Sequence, residues 1–166
     1  MQSFRFLSRS LCYDLTVKNL HHPLDLAAIR RRILLVRPDS PRRWGEMTPH
    51  QMINHQADSL CGMMGLKPVS PAGKPNRILK VFALWLPLPW PKGVPTRPEM
   101  DQRIGGTPPA DFQADVQAFM ELLERFTRTP RDFQFQAHPM FGEMQEHEWM
   151  RWGYLHIDHH LRQFGV

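Results

Sequence analysis

Apolar positions recur along this chain at helical spacing, and the segments that carry them are punctuated by proline and glycine. From Leu24, the series Leu26, Ile29, Ile33 and Val36 repeats at three and four residues, with Asp25 in the first turn and Pro38 beyond the end. That spacing predicts a helix over 24–37. Thr48-Pro49-His50-Gln51 then offers a capping Thr, a proline at the first helical position and a Gln at the capping-box position. A second helix is expected over 48–64, with Ile53, Ala57, Leu60 and Met64 on one side and Gln51, His55, Asp58, Ser59 and Gly62 on the other. Such a polar stripe either faces solvent or lines a wet pocket between helices. A shorter helix over 75–86 places Ile78, Phe82 and Trp85 on one face. Phe112, Val116, Phe119, Leu123 and Phe126 form a nearly ideal buried stripe and predict a helix over 108–126, closed by Pro130. The last helix is expected over 145–163, because no proline interrupts Met144 to Phe164, acids cluster near its start and Gly165 follows.

These elements describe an all-α chain of 166 residues, long enough for one domain with its own core. Residues 1–17 stand apart as an N-terminal extension, with an arm or short strand around Phe4, Phe6 and Leu7, and residues 18–166 form the helical domain. Between Pro87 and Pro109 the chain changes character: seven prolines, Gly93 and the Gly105-Gly106 pair make a long connection. A connection of that length is either a packed functional loop or a mobile surface segment.

Composition narrows the picture a little. Cys12 and Cys61 have neither disulfide-framework nor zinc-site spacing, so reduced thiols and a cytoplasmic location are expected. No apolar run reaches transmembrane length, the longest being broken by Pro87 and Pro89, and no membrane partner is expected. The net charge of +5 raises nucleic acid as a partner. Its densest cluster, Arg30, Arg31, Arg32, Arg37, Arg42 and Arg43, lacks interleaved aromatics or a recognition-helix pattern and reads as a solvated face.

The chemistry lies near the end of the chain, where His138, His147, His156, His159 and His160 gather. His156 and His160 are four residues apart and about 40° apart around the helix, on the same side as Trp149 and Trp152. Asp158, Arg151 and Arg162 mark the opposite, solvated side, and His159 sits at the edge of the stripe. Two imidazoles at that spacing can reach one Zn²⁺-like ion, or they can be core histidines bonded to carbonyls or water.

Taken together, Arg43-Trp44-Gly45-Glu46-Met47-Thr48-Pro49, Asn54-His55, His138-Pro139-Met140-Phe141-Gly142 and the ending His156-Ile-Asp-His-His-Leu-Arg-Gln-Phe164 resemble the DinB/YfiT-like metalloenzyme superfamily, in a branch without assigned activity. The resemblance covers roughly residues 18 to 166. It implies a DinB-like four-helix bundle with a long crossover connection and an additional short helix. It also implies a metal triad of one histidine from the second helix and two from the last, which are His55, His156 and His160 in this chain. A divalent transition metal is then expected, Zn or Ni first and Fe, Co or Cu as alternatives, since imidazole suits all of them.

Three neutral imidazoles leave such an ion an open position for hydrolysis or thiol transfer on a small molecule, with a thiol among the candidate substrates. Asp58 and His159 are the candidates for proton transfer beside it. The competing classes are a non-catalytic metal-binding or dimerisation module and, less favoured, a basic nucleic-acid binder. A homodimer is expected through the apolar side of the second helix.

Overall fold

The computed structural model describes residues 17–166, so the arm expected around Phe4, Phe6 and Leu7 lies outside the described residues. The helical spacing resolves into five α-helices: α1 (Pro23–Ile33), α2 (Pro49–Met63), α3 (Arg77–Trp85), α4 (Phe112–Thr127) and α5 (Glu146–Gln163). A single 3₁₀ turn at Pro98–Met100 interrupts the long connection, and no strand occurs among the described residues. None of the described helices is long and apolar enough to cross a membrane.

α1 stops at Ile33, short of the expected boundary at residue 37. A residue before proline is disfavoured in helical backbone, and Arg37 precedes Pro38, so the chain leaves the helix early. Leu35 and Val36 continue in tighter turns, donating their N–H groups to the Arg32 and Ile33 carbonyls at 3.1 Å each. Val36 is still buried, so the whole apolar series reaches the core. α4 likewise begins at Phe112 rather than at residue 108, because Pro108 and Pro109 hold the preceding chain extended and Asp111 caps the helix by accepting the Ala114 N–H at 2.8 Å.

α2 starts where its capping box places it. The Gln51 N–H donates to Thr48 Oγ1 at 3.1 Å, and the Thr48 N–H donates to Gln51 Oε1 at 2.9 Å. Two orphan amide groups are thereby satisfied. The helix packs against α4 and the 3₁₀ turn, while α5 packs against both α1 and α3. α2 is consequently buried on both sides: Ile53, Leu60 and Met64 lie in the core, and so do Asn54, His55, Gln56, Asp58 and Ser59. The apolar side expected to form a homodimer is thus consumed within the chain, and any dimer would have to use another surface. α5 approaches its neighbours closely at Gly153, where a Cβ would lie 2.7 Å from Leu20 Cδ1.

The later part of the long connection is packed down. Asp58 of α2 accepts from Lys67 Nζ (2.8 Å), Gln102 Nε2 (3.0 Å), the Thr107 N–H (2.7 Å) and the Thr107 hydroxyl (2.7 Å). Asp115 of α4 binds the next stretch through the Ala110 N–H (3.1 Å), together with Asn54 Nδ2 (3.2 Å) and His50 Nε2 (2.6 Å). Half of the arginine cluster is also engaged: Arg30 reaches Glu124, Arg32 reaches Asp158 and the Val166 carbonyl, and Arg42 reaches the Glu46 carbonyl.

Candidate metal centre

His55 reaches the interior because α2 has no solvated side at that level. Its ring meets the 3₁₀ turn, where Nδ1–H donates to the Met100 carbonyl at 3.0 Å. A carbonyl only accepts, so the proton sits on Nδ1 and the Nε2 lone pair of the neutral ring is left free. α5 brings in His156 and His160 one turn apart. Ring centroids are 5.2 Å apart for His55 and His156, 4.8 Å for His55 and His160, and 4.9 Å for His156 and His160. The three imidazoles each have a nitrogen within 4.8 Å of the other two.

His160 is oriented in the same way as His55. Gln163 Nε2 donates to the Trp44 carbonyl at 2.8 Å, which turns the amide oxygen towards His160 Nδ1 at 3.0 Å. His160 therefore carries its proton on Nδ1 and presents Nε2. Gly45 makes the arrangement possible, since a Cβ there would lie 2.6 Å from Gln163 Nε2 and its φ of 72° disfavours any side chain. His156 is stacked on Trp152, with centroids 4.7 Å apart.

Electrostatics keep the cluster neutral. Burial lowers the pKa of His55 against the opposing pull of the Met100 carbonyl, Asp58 and Asp101. His156 and His160 are held well below the ordinary histidine value, first by burial and then by the other imidazoles. Neutral imidazole is the form that ligates metal. His55 Nε2 and His156 Nε2 are 3.3 Å apart, close to the roughly 3.3 Å between two nitrogens on one tetrahedral Zn²⁺. Two facing lone pairs at that distance call for a proton on one ring or a cation between them. The donor set, its tautomers and its spacing all fit a divalent transition metal.

The other sequence candidates fall outside this cluster. Asp58 is committed to Lys67, Gln102 and Thr107, so its oxygens anchor the connection. His159 lies between Trp44 (5.8 Å) and Trp90 (6.2 Å), beside the triad but outside it, and burial lowers its pKa. His138 is buried in its own loop, its Nδ1 accepting the Met140 and Phe141 N–H groups, and burial pushes its pKa down to about 3. His147 sits away from the cluster, against Trp85.

Sequence reasoning missed three supporting groups. Gln163 was detectable, being three residues after His160 on the same helix face. The Met100 carbonyl is a backbone group in a proline-rich stretch and leaves no side-chain signature. Trp90, whose indole N–H donates to the Ala83 carbonyl and whose ring lies 6.2 Å from His156, is likewise placed by an irregular segment.

Residues 88–165 are similar to a family described as a protein of unknown function (DUF1569). That stretch contains His156 and His160 but not His55. No curated protein and no solved structure matches the chain.

Proposed function

We propose that this chain is a metal-dependent enzyme of the DinB/YfiT-like kind. α1, α2, α4 and α5 would be the four helices of its bundle, α3 the additional helix and the stretch from Pro87 to Pro109 the long crossover. His55, His156 and His160 hold one divalent transition metal, with Zn or Ni favoured. The observation that carries this reading is the convergence of three neutral imidazoles, two of which donate Nδ1–H to a fixed oxygen and so keep Nε2 for a ligand bond. A carbonyl or amide partner on the far nitrogen fixes both tautomer and ring orientation in metal sites.

A divalent ion on three imidazoles retains its charge and an open position, and supplies Lewis acidity to a water or a thiol. The chain's own groups set the surroundings. Trp152 stacks on His156, and Trp90 lies against both His156 and His159. Neither Asp58 nor Asp101 offers a free carboxylate to the site, since Asp101 is held by Arg103. A small-molecule thiol, which needs little help once deprotonated, suits such a site better than a reaction that depends on a carboxylate base. The lack of a free carboxylate also favours, as the second reading, retention of a metal without turnover.

Elemental analysis of untagged protein, chelated and then reloaded, tests the site. About one equivalent of metal per chain is expected, with a sharp loss in His55→Ala, His156→Ala and His160→Ala and little change in His159→Ala. Unchanged metal content across the three triad variants would refute the reading.

A further inference from the structure

α3 is folded with its apolar side outward. Ile78, Val81, Phe82 and Trp85 are 71%, 53%, 55% and 40% exposed, and Leu88 just beyond the helix is 67% exposed. The inward side holds Leu84 and, against the usual order, Lys80, which binds Glu148 at 2.8 Å and the Glu143 carbonyl at 3.3 Å.

This orientation is fixed at several points. Asn76 caps the helix through the Leu79 N–H (2.9 Å), Arg151 Nε donates to the Leu84 carbonyl (2.8 Å), and the Trp90 indole donates to the Ala83 carbonyl (2.7 Å). The exposed side chains are therefore presented by a held helix. Contiguous exposed apolar surface on a held element marks an interaction site.

Charge identifies the partner. No carboxylate side chain occurs between Asp58 and Glu99, whereas six Lys and Arg do. Lys67 is held by Asp58, Lys80 by Glu148, Arg97 by Ser70 and Lys92 over Trp44, which leaves Lys74 and Arg77 at the start of α3. Lys74 and Arg77 form no ion pair among the described residues. The carboxylates Glu146 and Glu148, on the helix against which α3 packs, are already engaged by Arg131 and Lys80. A symmetric contact between two copies of this face would set like charges against each other. An anionic bilayer accommodates both features at once, because Phe, Trp and Leu enter the interface while Lys and Arg meet lipid phosphates.

We infer that α3 and the segment just after it dock the protein on an anionic membrane surface. This is peripheral attachment, which the absence of a transmembrane-length run does not address. It stands independently of the metal reading, although Trp90, which follows α3, has its ring 6.2 Å from that of His156.

The test is co-sedimentation of the full chain with vesicles of phosphatidylcholine alone and of an equal mixture with phosphatidylglycerol. Binding to the mixture is expected, with weaker binding to phosphatidylcholine and at raised salt. The double variant Ile78→Ser/Phe82→Ser should lower the bound fraction about ten-fold while keeping its helical circular dichroism, since both positions are exposed. His55→Ala should bind as wild type does. Failure of the wild type to bind the mixed vesicles would overturn the inference, as would undiminished binding by the double variant. A wild-type dimer that the double variant abolishes, without vesicle binding, would assign the face to a second copy instead.

Discussion

At the scale of single residues, the buried histidines divide by what their second nitrogen does. His55 and His160 donate Nδ1–H and keep Nε2 free, whereas His138 uses Nδ1 to accept two backbone N–H groups and so acts as a loop organiser. His138 has a folded pKa of about 3 against an ordinary value of 6.5. The unfolded chain therefore binds the extra proton first, and the stability contributed by neutral His138 is complete above 6.5 and lost as pH falls towards 3. His138→Asn retains a side-chain acceptor and does not titrate. The stability difference between wild type and this variant should shift by about 2 kcal/mol against wild type between pH 7 and pH 5. Urea unfolding at the two pH values measures it, and a constant difference would show that His138 is not buried as a neutral ring. The His156–His160 pair was legible because helical periodicity separates an inner stripe from Asp158 and Arg162. His55 was not legible from periodicity, since its stripe of small polar residues is equally consistent with solvent, and only the resemblance singled it out.

At the scale of elements, α2 and the long connection form one unit. A polar stripe on a helix ordinarily faces water, but here Asp58 and His55 use theirs to hold residues from Met100 to Thr107. Asp58→Ala removes the acceptor for Lys67, Gln102 and Thr107 together. It should destabilise the protein by about 3 kcal/mol and speed hydrogen exchange at Thr107 and the neighbouring amides. Unchanged exchange there would mean that the connection is held by other contacts. The proline count marked the connection as unusual, but prolines specify backbone restriction and carry no information about which side chain will receive the loop. α3 shows the converse limit. Periodicity found its apolar face, yet which way a short amphipathic helix turns depends on its neighbours, in this case the Glu148 and Arg151 partners on α5.

At the scale of the whole molecule, the helices and their order were largely readable, because long apolar stripes and capping residues are local signals. The way they pack was not, and the homodimer expectation shows why: the apolar side of α2 that seemed available is filled by the chain itself. The basic charge is similarly redistributed by folding, since Arg30 and Arg32 are tied to Glu124 and Asp158 across the molecule. A bound metal should act on the whole fold through mass action. With metal at about a hundred times its dissociation constant, stabilisation of about 2.7 kcal/mol is expected, seen as a higher melting temperature that chelation reverses. The His55→Ala, His156→Ala and His160→Ala variants should show no such dependence.

The separation of 101 residues between His55 and His156 has an entropic consequence. In an unfolded chain His156 and His160 remain neighbours and can share an ion weakly, but recruiting His55 means closing a loop whose entropy cost is about 4 kcal/mol. The most distant ligand is therefore the one that lets the ion distinguish the folded chain from the unfolded one. An ion held by all three acts as a reversible cross-link between the second helix and the last, one that forms only after the fold has brought them together.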